Sequence, residues 1–276
     1  MSIVALAGRA APALLASQAI DWTNTEPLTA LDRHGYNVVD SLTVVGQPTR
    51  THSRPCALIC ADGETYWVKG AVQQGLVAEL VAGRLAHLAG AGPQAKIIRV
   101  TPESCVGPVD LSHLFGVVVG TLDQNGMVNA RDLALFLANG QFAPGAVEAA
   151  SRARVVTFQT WLGVQDTQVM IDLTNGKVVS IDHGDCFAST SDPAQPSPIM
   201  VVEIPGVGAD VGRDATVVLD ALARIEAITD RQLIEAVARI PSGDPWRSPT
   251  ARRWEIASWL AARRDSLRGV MSQWMI

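Results

Sequence analysis

Lysine is scarce in this chain of 276 residues. Only three of its 22 basic residues are lysines, Lys69, Lys96 and Lys177, and the other nineteen are arginines. A compact ammonium and a planar guanidinium are not interchangeable at a phosphate or in a close ion pair. Each remaining lysine is therefore a candidate for a role that arginine cannot fill.

The sequence also lacks the features of several protein classes. It has no charge-free run of about 18 apolar residues, which a membrane-spanning helix needs. Its net charge of −5 does not favour a general nucleic-acid binder. With 48% hydrophobic and 18% charged residues, the composition is that of a globular protein with a substantial core.

Cysteine usage and the N-terminus bear on the compartment. The four cysteines form no CxxC pair and have no zinc spacing, so we expect buried thiols in a reducing compartment. The first twenty residues are apolar, but no basic segment precedes them, and Arg9 and Pro12 interrupt them. We therefore expect a cytoplasmic protein, with secretion as the alternative.

The chain changes character after residue 122. Before it, β-branched apolar runs predict strands at 38–46, 56–61, 64–70, 97–100 and 114–120, with one helix at 73–89. After it, helical periodicity occurs at 129–139, 145–163, 214–227, 229–239 and 250–274, interrupted by a hairpin whose turn is Asn175-Gly176. This order predicts an α+β fold of two lobes with a cleft near residues 120–126.

The scarce lysine at position 69 has a candidate partner. Lys69 ends a predicted strand, and Glu79 follows ten residues later on the predicted helix. The two side chains can pair across a lobe and hold the ammonium toward a nucleotide phosphate. A strand-end lysine followed by a helical glutamate is also common elsewhere, so the pair alone leaves both interpretations open.

Two aspartates flank the predicted hairpin. Asp166 precedes its first strand, and Asp182 ends the second strand before His183 and Gly184. Strand pairing brings the two carboxylates near each other, with Asp182 suited to hold a divalent metal and Asp166 to accept a proton from an attacking hydroxyl. Aspartate also favours strand-end turns for purely structural reasons, so this alternative stays open.

Together these parts follow the order found in protein-kinase-like phosphotransferases. The chain resembles the HipA-like kinases, particularly the short stand-alone kind, over roughly residues 38–271. The resemblance is carried by YWVKG (66–70), LVAELVAGRLAHLAG (76–90), FQTWLGVQD (158–166), VVSIDHGDCF (178–187) and the closing helical segment 240–271. It implies a bilobal protein-kinase-like fold, with residues 1–37 as an extension packed on the N-lobe, the N-lobe at 38–122 and the helical C-lobe at 123–276.

The resemblance also implies ATP and Mg²⁺ as cofactors. Lys69 would contact the α- and β-phosphates with Glu79 as its ion-pair partner, Asp182 would bind Mg²⁺, and Asp166 would be the catalytic base. The turn from Gly46 to Arg54 corresponds to the family's phosphate loop, with the cofactor-binding candidates Gly46, Thr49, Thr51 and Ser53. The turn has a single glycine, and an ordinary solvated turn explains it equally well.

Three positions depart from the family pattern. The asparagine two residues before the catalytic aspartate is replaced by Val164, and the arginine after it by Thr167. The metal-binding asparagine has no counterpart except Gln168, whose longer side chain reaches a Mg²⁺ ion differently. Gln168 is therefore the candidate for the second metal position.

These departures leave several functions open. The first is a specialised kinase that phosphorylates serine or threonine of a protein in the bacterial cytoplasm. The second is a pseudokinase, with or without bound nucleotide, that acts as a protein-interaction module. A small-molecule kinase is a third. Under the first two the partner is a protein, and we expect neither a membrane nor a nucleic-acid partner.

The C-terminal helix is basic and amphipathic. Its apolar positions predict a face packed in the core, and its arginines Arg252, Arg253, Arg263, Arg264 and Arg268 are expected to be solvated. Contact with a membrane or a nucleic acid is the alternative.

Overall fold

The computed structural model describes residues 37–46, 48–49, 54–70, 75–107, 109–143, 146–187, 198–241 and 244–276. These residues form a closed five-stranded barrel, a three-stranded sheet and six α-helices. The predicted mixture of α and β structure is confirmed.

The barrel is built from the first five strands. They are β1 (Val38–Val45), β2 (Cys56–Cys60), β3 (Thr65–Val68), β4 (Ala95–Val100) and β5 (Gly116–Leu122), in the order β1-β2-β3-β5-β4. The parallel pairing of β1 with β4, in which Val38 lies opposite Ile97, closes the barrel. The sequence predicted the strands but not this closure, because no local pattern encodes a pairing between segments so far apart.

The side chains of strand β3 alternate between two faces. Tyr66 and Val68 are buried inside the barrel, whereas Trp67 lies on the other face and is half-buried. The turn between β2 and β3 contains Gly63 at φ +83°, a conformation that favours glycine, and the two strands pair as an antiparallel hairpin. The strand ends at Val68, directly before Lys69.

Helix α1 (Leu76–Ala89) connects β3 to β4 and packs against the barrel. The two elements touch at Gly83 and Ala95, where a side chain on the glycine would collide with Ala95. The helix ends at Gly90 with φ +65°, close to the predicted end at residue 89. This packing places Glu79, in the first turn of α1, beside the end of β3.

A second sheet follows the barrel. It contains β6 (Met127–Asn129), β7 (Gln168–Asp172) and β8 (Val178–Ile181), all antiparallel to their neighbours. The β7–β8 hairpin was predicted, but β6 was not, because three half-buried residues give no alternating pattern. The remaining helices are α2 (Leu133–Ala138), α3 (Ala149–Leu162), α4 (Ala215–Glu226), α5 (Asp230–Val237) and α6 (Thr250–Met271).

Helix α3 lies at the centre of the larger core. Phe158 and Trp161, in the last helical turn before Asp166, are fully buried. Helix α6 packs against α3 with its apolar face, as predicted. The expectation that its arginines are all solvated was wrong. Arg253 and Arg263 are each only 6% exposed, and the guanidinium of Arg263 donates to backbone carbonyls at the end of α3.

Residues 1–36, most of the predicted N-terminal extension, lie outside the described residues. The domain bounds and the two-lobe arrangement stay predictions. All four cysteines fall within the described residues, and each is a buried free thiol. In the described part of the chain, no helix has the length and apolar character required to span a membrane.

Candidate functional site

Lys69 lies between two carboxylates. Its Nζ is 3.2 Å from Glu79 Oε2 and 2.5 Å from Asp182 Oδ1. The end of β3 supplies the lysine, the first turn of α1 supplies the glutamate, and the turn after β8 supplies the aspartate. The structure thus brings together three of the predicted site residues.

Glu79 is 5% exposed, but its carboxylate has several partners. Besides Lys69, Oε2 accepts a hydrogen bond from the backbone N–H of His183 at 2.8 Å, and Oε1 accepts one from Thr121 Oγ1 at 3.3 Å. Burial alone would raise the pKa of Glu79, but the charge of Lys69 and the hydrogen bonds from Lys69 and the His183 backbone hold it below its ordinary value. Burial would likewise lower the pKa of Lys69, but Glu79 and Asp182 raise it. Both members of the pair are therefore charged near neutral pH.

His183 orients the turn that carries Asp182. Its ring nitrogen Nε2 lies 2.7 Å from Ser180 Oγ, and its ring meets Phe158 edge-on with 5.6 Å between centroids. The side chain is buried, and this burial lowers the pKa of His183. The residue is thus held as a neutral imidazole. Asp182 itself has φ +58°, a left-handed conformation that residues other than glycine seldom adopt.

Asp166 lies before β7, and two side chains engage its carboxylate. Arg131 Nη2 is 3.0 Å from Oδ1 and 3.4 Å from Oδ2, and Gln168 Nε2 donates to Oδ2 at 2.9 Å. The same Gln168 nitrogen lies 3.2 Å from Asp182 Oδ2. Gln168 therefore joins the two aspartates, and the predicted set of Lys69, Glu79, Asp166, Gln168 and Asp182 forms one connected network.

Sequence reasoning missed two members of this network. Arg131 lies two residues after the cap residue Asn129, and Asp185 belongs to the turn after β8. Asp185 Oδ2 accepts hydrogen bonds from the backbone N–H groups of Gln165 at 2.9 Å and Asp166 at 2.6 Å. The only available signal for Asp185 was its position three residues after Asp182, and nothing in the sequence connected Arg131 to Asp166.

Two of the four predicted phosphate-loop residues, Gly46 and Thr49, are among the described residues. Gly46 has φ +79° at the end of β1, and the backbone N–H of Thr49 donates to the carbonyl of Pro55 at 3.0 Å across the turn. Thr51 and Ser53 lie outside the described residues. The role of this turn stays a prediction.

The network has a charge and donor set that fit a divalent cation. The network contains four carboxylates, those of Glu79, Asp166, Asp182 and Asp185, and two cations, Lys69 and Arg131. Oxygen ligands of this kind are those that Mg²⁺ prefers, and it is commonly held by one or two carboxylates together with phosphate oxygens and waters. Among the residues described, no three His, Cys, Asp or Glu side chains are grouped so as to hold a metal ion. A cation at this site would therefore need further ligands besides these carboxylates, such as waters or the oxygens of a bound anion.

A cavity of about 750 Å³ adjoins Asp166. Its lining includes Arg131, Asp166 and Gln168 and several residues of the segment 201–209. Arg152 of α3 holds that segment in place, because its guanidinium donates to the carbonyls of Gly208 at 2.7 Å and Val202 at 3.2 Å. The cavity is thus lined by both polar and apolar side chains.

Comparison with known proteins gives a result only at the level of structure. No protein-family model matches the chain, and no curated protein matches it. The Helicobacter pylori proinflammatory kinase CtkA has a similar structure, with a TM-score of 0.54, 13% identity and coverage of 87% of this chain and 98% of that chain.

Two further kinase structures match with lower scores. The Golgi casein kinase with Mn/ADP bound has a TM-score of 0.41 at 10% identity, covering 88% of this chain and 74% of that chain. The FAT and kinase domain of CtTel1 has a TM-score of 0.41 at 13% identity, covering 80% of this chain and 21% of that chain. The similarity to CtkA shows that this chain has a protein-kinase-like fold.

Proposed function

We propose that this protein is an ATP- and Mg²⁺-dependent phosphotransferase of the HipA-like type that phosphorylates serine or threonine of a protein. The observation that carries the proposal is the position of Lys69, 3.2 Å from Glu79 and 2.5 Å from Asp182 on a kinase-like fold. A buried ion pair that presents a lysine beside a candidate metal ligand is the arrangement that nucleotide-dependent phosphoryl transfer requires.

Each residue has a distinct role in this proposal. Lys69, held by Glu79, would bind oxygens of the nucleotide phosphates, and Asp182 would be a ligand of Mg²⁺ in place of its present contact with Lys69. Bound Mg²⁺ would neutralise charge on the phosphate oxygens. Gln168 contributes its carbonyl oxygen only if its amide group rotates, because its nitrogen faces both aspartates.

Asp166 accepts the proton of the acceptor hydroxyl. The cavity beside Asp166 has room for an acceptor side chain, and its lining includes Val201, Ile204 and Val207. An acceptor hydroxyl in this cavity lies within reach of Asp166 once Arg131 has moved aside. General-base catalysis of this kind contributes about 10²–10⁴-fold to a rate.

The test is phosphoryl transfer from labelled ATP in the presence of Mg²⁺. Wild-type protein should label itself or a protein substrate, and Asp166→Asn and Asp182→Asn should each abolish labelling while retaining a cooperative thermal transition. Asp214→Asn, which alters only the cap of α4, is the matched control and should remain active. Equal labelling or ATP hydrolysis in wild-type protein and Asp182→Asn would rule out the active enzyme.

One observation favours a second candidate, the pseudokinase. Both oxygens of Asp166 are engaged, by Arg131 and Gln168, so an acceptor hydroxyl must displace one of these side chains to reach the carboxylate. In a pseudokinase these contacts persist, and ATP with Mg²⁺ stabilises the protein without turnover. At 100 times its dissociation constant a nucleotide stabilises by about 2.7 kcal/mol. A thermal shift that disappears in Lys69→Ala, without labelling, supports this candidate, and no shift at all supports a nucleotide-free interaction module.

A further inference from the structure

The carboxylate of Asp185 connects two segments of the proposed active site. Asp185 belongs to the turn after β8, three residues beyond Asp182. Its Oδ2 accepts hydrogen bonds from two consecutive backbone N–H groups, those of Gln165 and Asp166, at 2.9 and 2.6 Å. The segment that carries the proposed catalytic base is therefore tied directly to the turn that carries the proposed metal ligand.

A second connection joins the same two segments through side chains. Gln168 Nε2 lies 2.9 Å from Asp166 Oδ2 and 3.2 Å from Asp182 Oδ2. The backbone link through Asp185 and the side-chain link through Gln168 hold Asp166 from two sides. One hydrogen bond allows a segment to pivot, whereas two separated connections restrict both its distance and its orientation.

The other oxygen of Asp185 carries a cost in stability. Within the described residues, Oδ1 is buried and has no hydrogen-bond partner. A buried carboxylate oxygen without a partner is unfavourable, and a side chain that served only to complete the turn would not require the second oxygen or the charge. A local feature that weakens the fold is typical of a site where geometry serves function.

We propose that Asp185 is a positioning residue that fixes the separation of Asp166 from Asp182. The catalytic part of this proposal rests on the proposed function, because the positioning matters for phosphoryl transfer. Hydrogen bonds to a charged acceptor are stronger than neutral ones, so a carboxylate holds the two N–H groups more firmly than a hydroxyl or an amide does. A displacement of about 1 Å of a reacting group can lower a rate on the order of 10²-fold.

The test compares the kcat and KM of Asp185→Ala and Asp185→Asn with those of a matched control on the β7–β8 hairpin. Asp172, at the far end of β7, also accepts a backbone N–H, that of Thr174, at 2.8 Å. We expect Asp185→Ala to lower kcat on the order of 10²-fold, with the KM for ATP changed by less than about threefold. Asp185→Asn, which keeps one acceptor oxygen, should recover part of the rate, and Asp172→Ala should leave both constants unchanged.

A second measurement does not depend on catalysis. Residue-resolved amide hydrogen exchange should show that the N–H groups of Gln165 and Asp166 exchange faster in Asp185→Ala than in wild-type protein, and that Asp172→Ala leaves them unchanged. Unchanged exchange at these two amides in Asp185→Ala would overturn the positioning role, whatever the activity. Faster exchange with an unchanged kcat would overturn its importance for catalysis.

The two proposals fail in different ways. If wild-type protein transfers no phosphate, the proposed function fails, and amide exchange still decides whether Asp185 orders the segment of Asp166. The unfolding free energy separates a positioning role from a purely structural one. Among the described residues Oδ1 is buried without a partner, so removing the charge relieves a desolvation cost that offsets the weaker hydrogen bonds to Oδ2, and Asp185→Asn should be about as stable as wild-type protein while its kcat falls. If the unfolding free energy of Asp185→Asn fell together with its kcat, the role would be structural and the proposal would be overturned.

Discussion

Gly75 and Gly184 lie in van der Waals contact through their backbones, so a Cβ on Gly75 would overlap the carbonyl oxygen of Gly184. Gly75 precedes α1, and its own carbonyl accepts a hydrogen bond from the backbone N–H of Glu79 at 2.8 Å. Gly184 belongs to the turn after Asp182. This contact joins the start of the helix that carries Glu79 to the turn that carries the proposed metal ligand.

The first prediction distinguishes the effect of the Gly75–Gly184 contact on stability from the effect of backbone strain. Gly75 has φ +106°, and Gly116 has φ +116° with open space where a Cβ would lie. Gly116→Ala should lose about 1–3 kcal/mol of unfolding free energy through strain alone. Gly75→Ala has the same strain and also displaces the 182–185 turn, so it should lose more. It should also lose the stabilisation by ATP and Mg²⁺.

Urea unfolding and nucleotide-induced thermal shifts measure these effects. Gly116→Ala serves as the control, because it carries the strain without the collision. Equal stability and an equal nucleotide response in the two variants would show that the Gly75–Gly184 contact is unimportant.

The second prediction concerns the buried ion pair. Lys69→Met leaves the carboxylate of Glu79, which is 5% exposed, without its cation. Loss of one member of a buried pair costs about 3–5 kcal/mol. Adding Glu79→Gln removes the uncompensated charge, so the double variant should recover part of the loss.

A double-mutant cycle in urea quantifies the coupling. Lys177→Met, at an exposed position beside the hairpin turn, should change the unfolding free energy by less than about 0.5 kcal/mol. Strictly additive effects of Lys69→Met and Glu79→Gln would contradict the coupling that the 3.2 Å contact implies.

The third prediction is a pH dependence that arises from His183. Burial lowers the pKa of His183 below its ordinary value of 6.5, so the unfolded chain takes up a proton before the folded chain does. The unfolding free energy should therefore fall as the pH drops below about 6.5, by up to about 1.4 kcal/mol per pH unit. It should level off once the pH has passed the lowered pKa of the folded state.

Unfolding free energies between pH 5 and 8 measure this slope. His183→Gln should reduce the slope, whereas His87→Gln, at an exposed position of α1, should retain it. Glu79 contributes in a lower range, because its lowered pKa stabilises the fold above about 4.5 and this contribution is lost as the pH falls further. A slope that is the same in His183→Gln and wild-type protein would show that another group titrates.

The fourth prediction concerns Arg263, which caps the end of α3. Its Nε donates to the carbonyl of Trp161 at 2.6 Å, its Nη2 donates to the carbonyl of Thr160 at 2.6 Å, and its guanidinium lies 4.6 Å from the ring centre of Trp259. Lysine cannot reproduce the fork or the stacking. Arg263→Lys should therefore lose about 1.5–3 kcal/mol of unfolding free energy.

The matched control is Arg268→Lys on the same helix. Arg268 is about half exposed and pairs with Glu226, so its replacement should cost less than about 1 kcal/mol. Chemical denaturation of both variants compares the two arginines. A loss at Arg263 no greater than that at Arg268 would contradict the capping role.

The sequence by itself determined the elements and much of the site. Four signals are local, since each depends on neighbouring residues. They are the alternation in β3, the turn at Asp62-Gly63, the glycine stop of α1 and the hairpin turn at Asn175-Gly176. The pairing of Lys69 with Glu79 was predictable for the same reason, because one strand end and one helix turn lie only ten residues apart.

Only the tertiary structure decided which distant groups meet. Arg131 contacts Asp166 across 35 residues, and the carboxylate of Asp185 reaches the backbone of Asp166 across 19. Arg263, expected in solvent, is buried because the end of α3 lies beside it. Periodicity and turn chemistry act over a few residues, whereas these contacts depend on how whole elements pack. The sequence therefore identified the candidate carboxylates and the lysine, and packing decided what surrounds them.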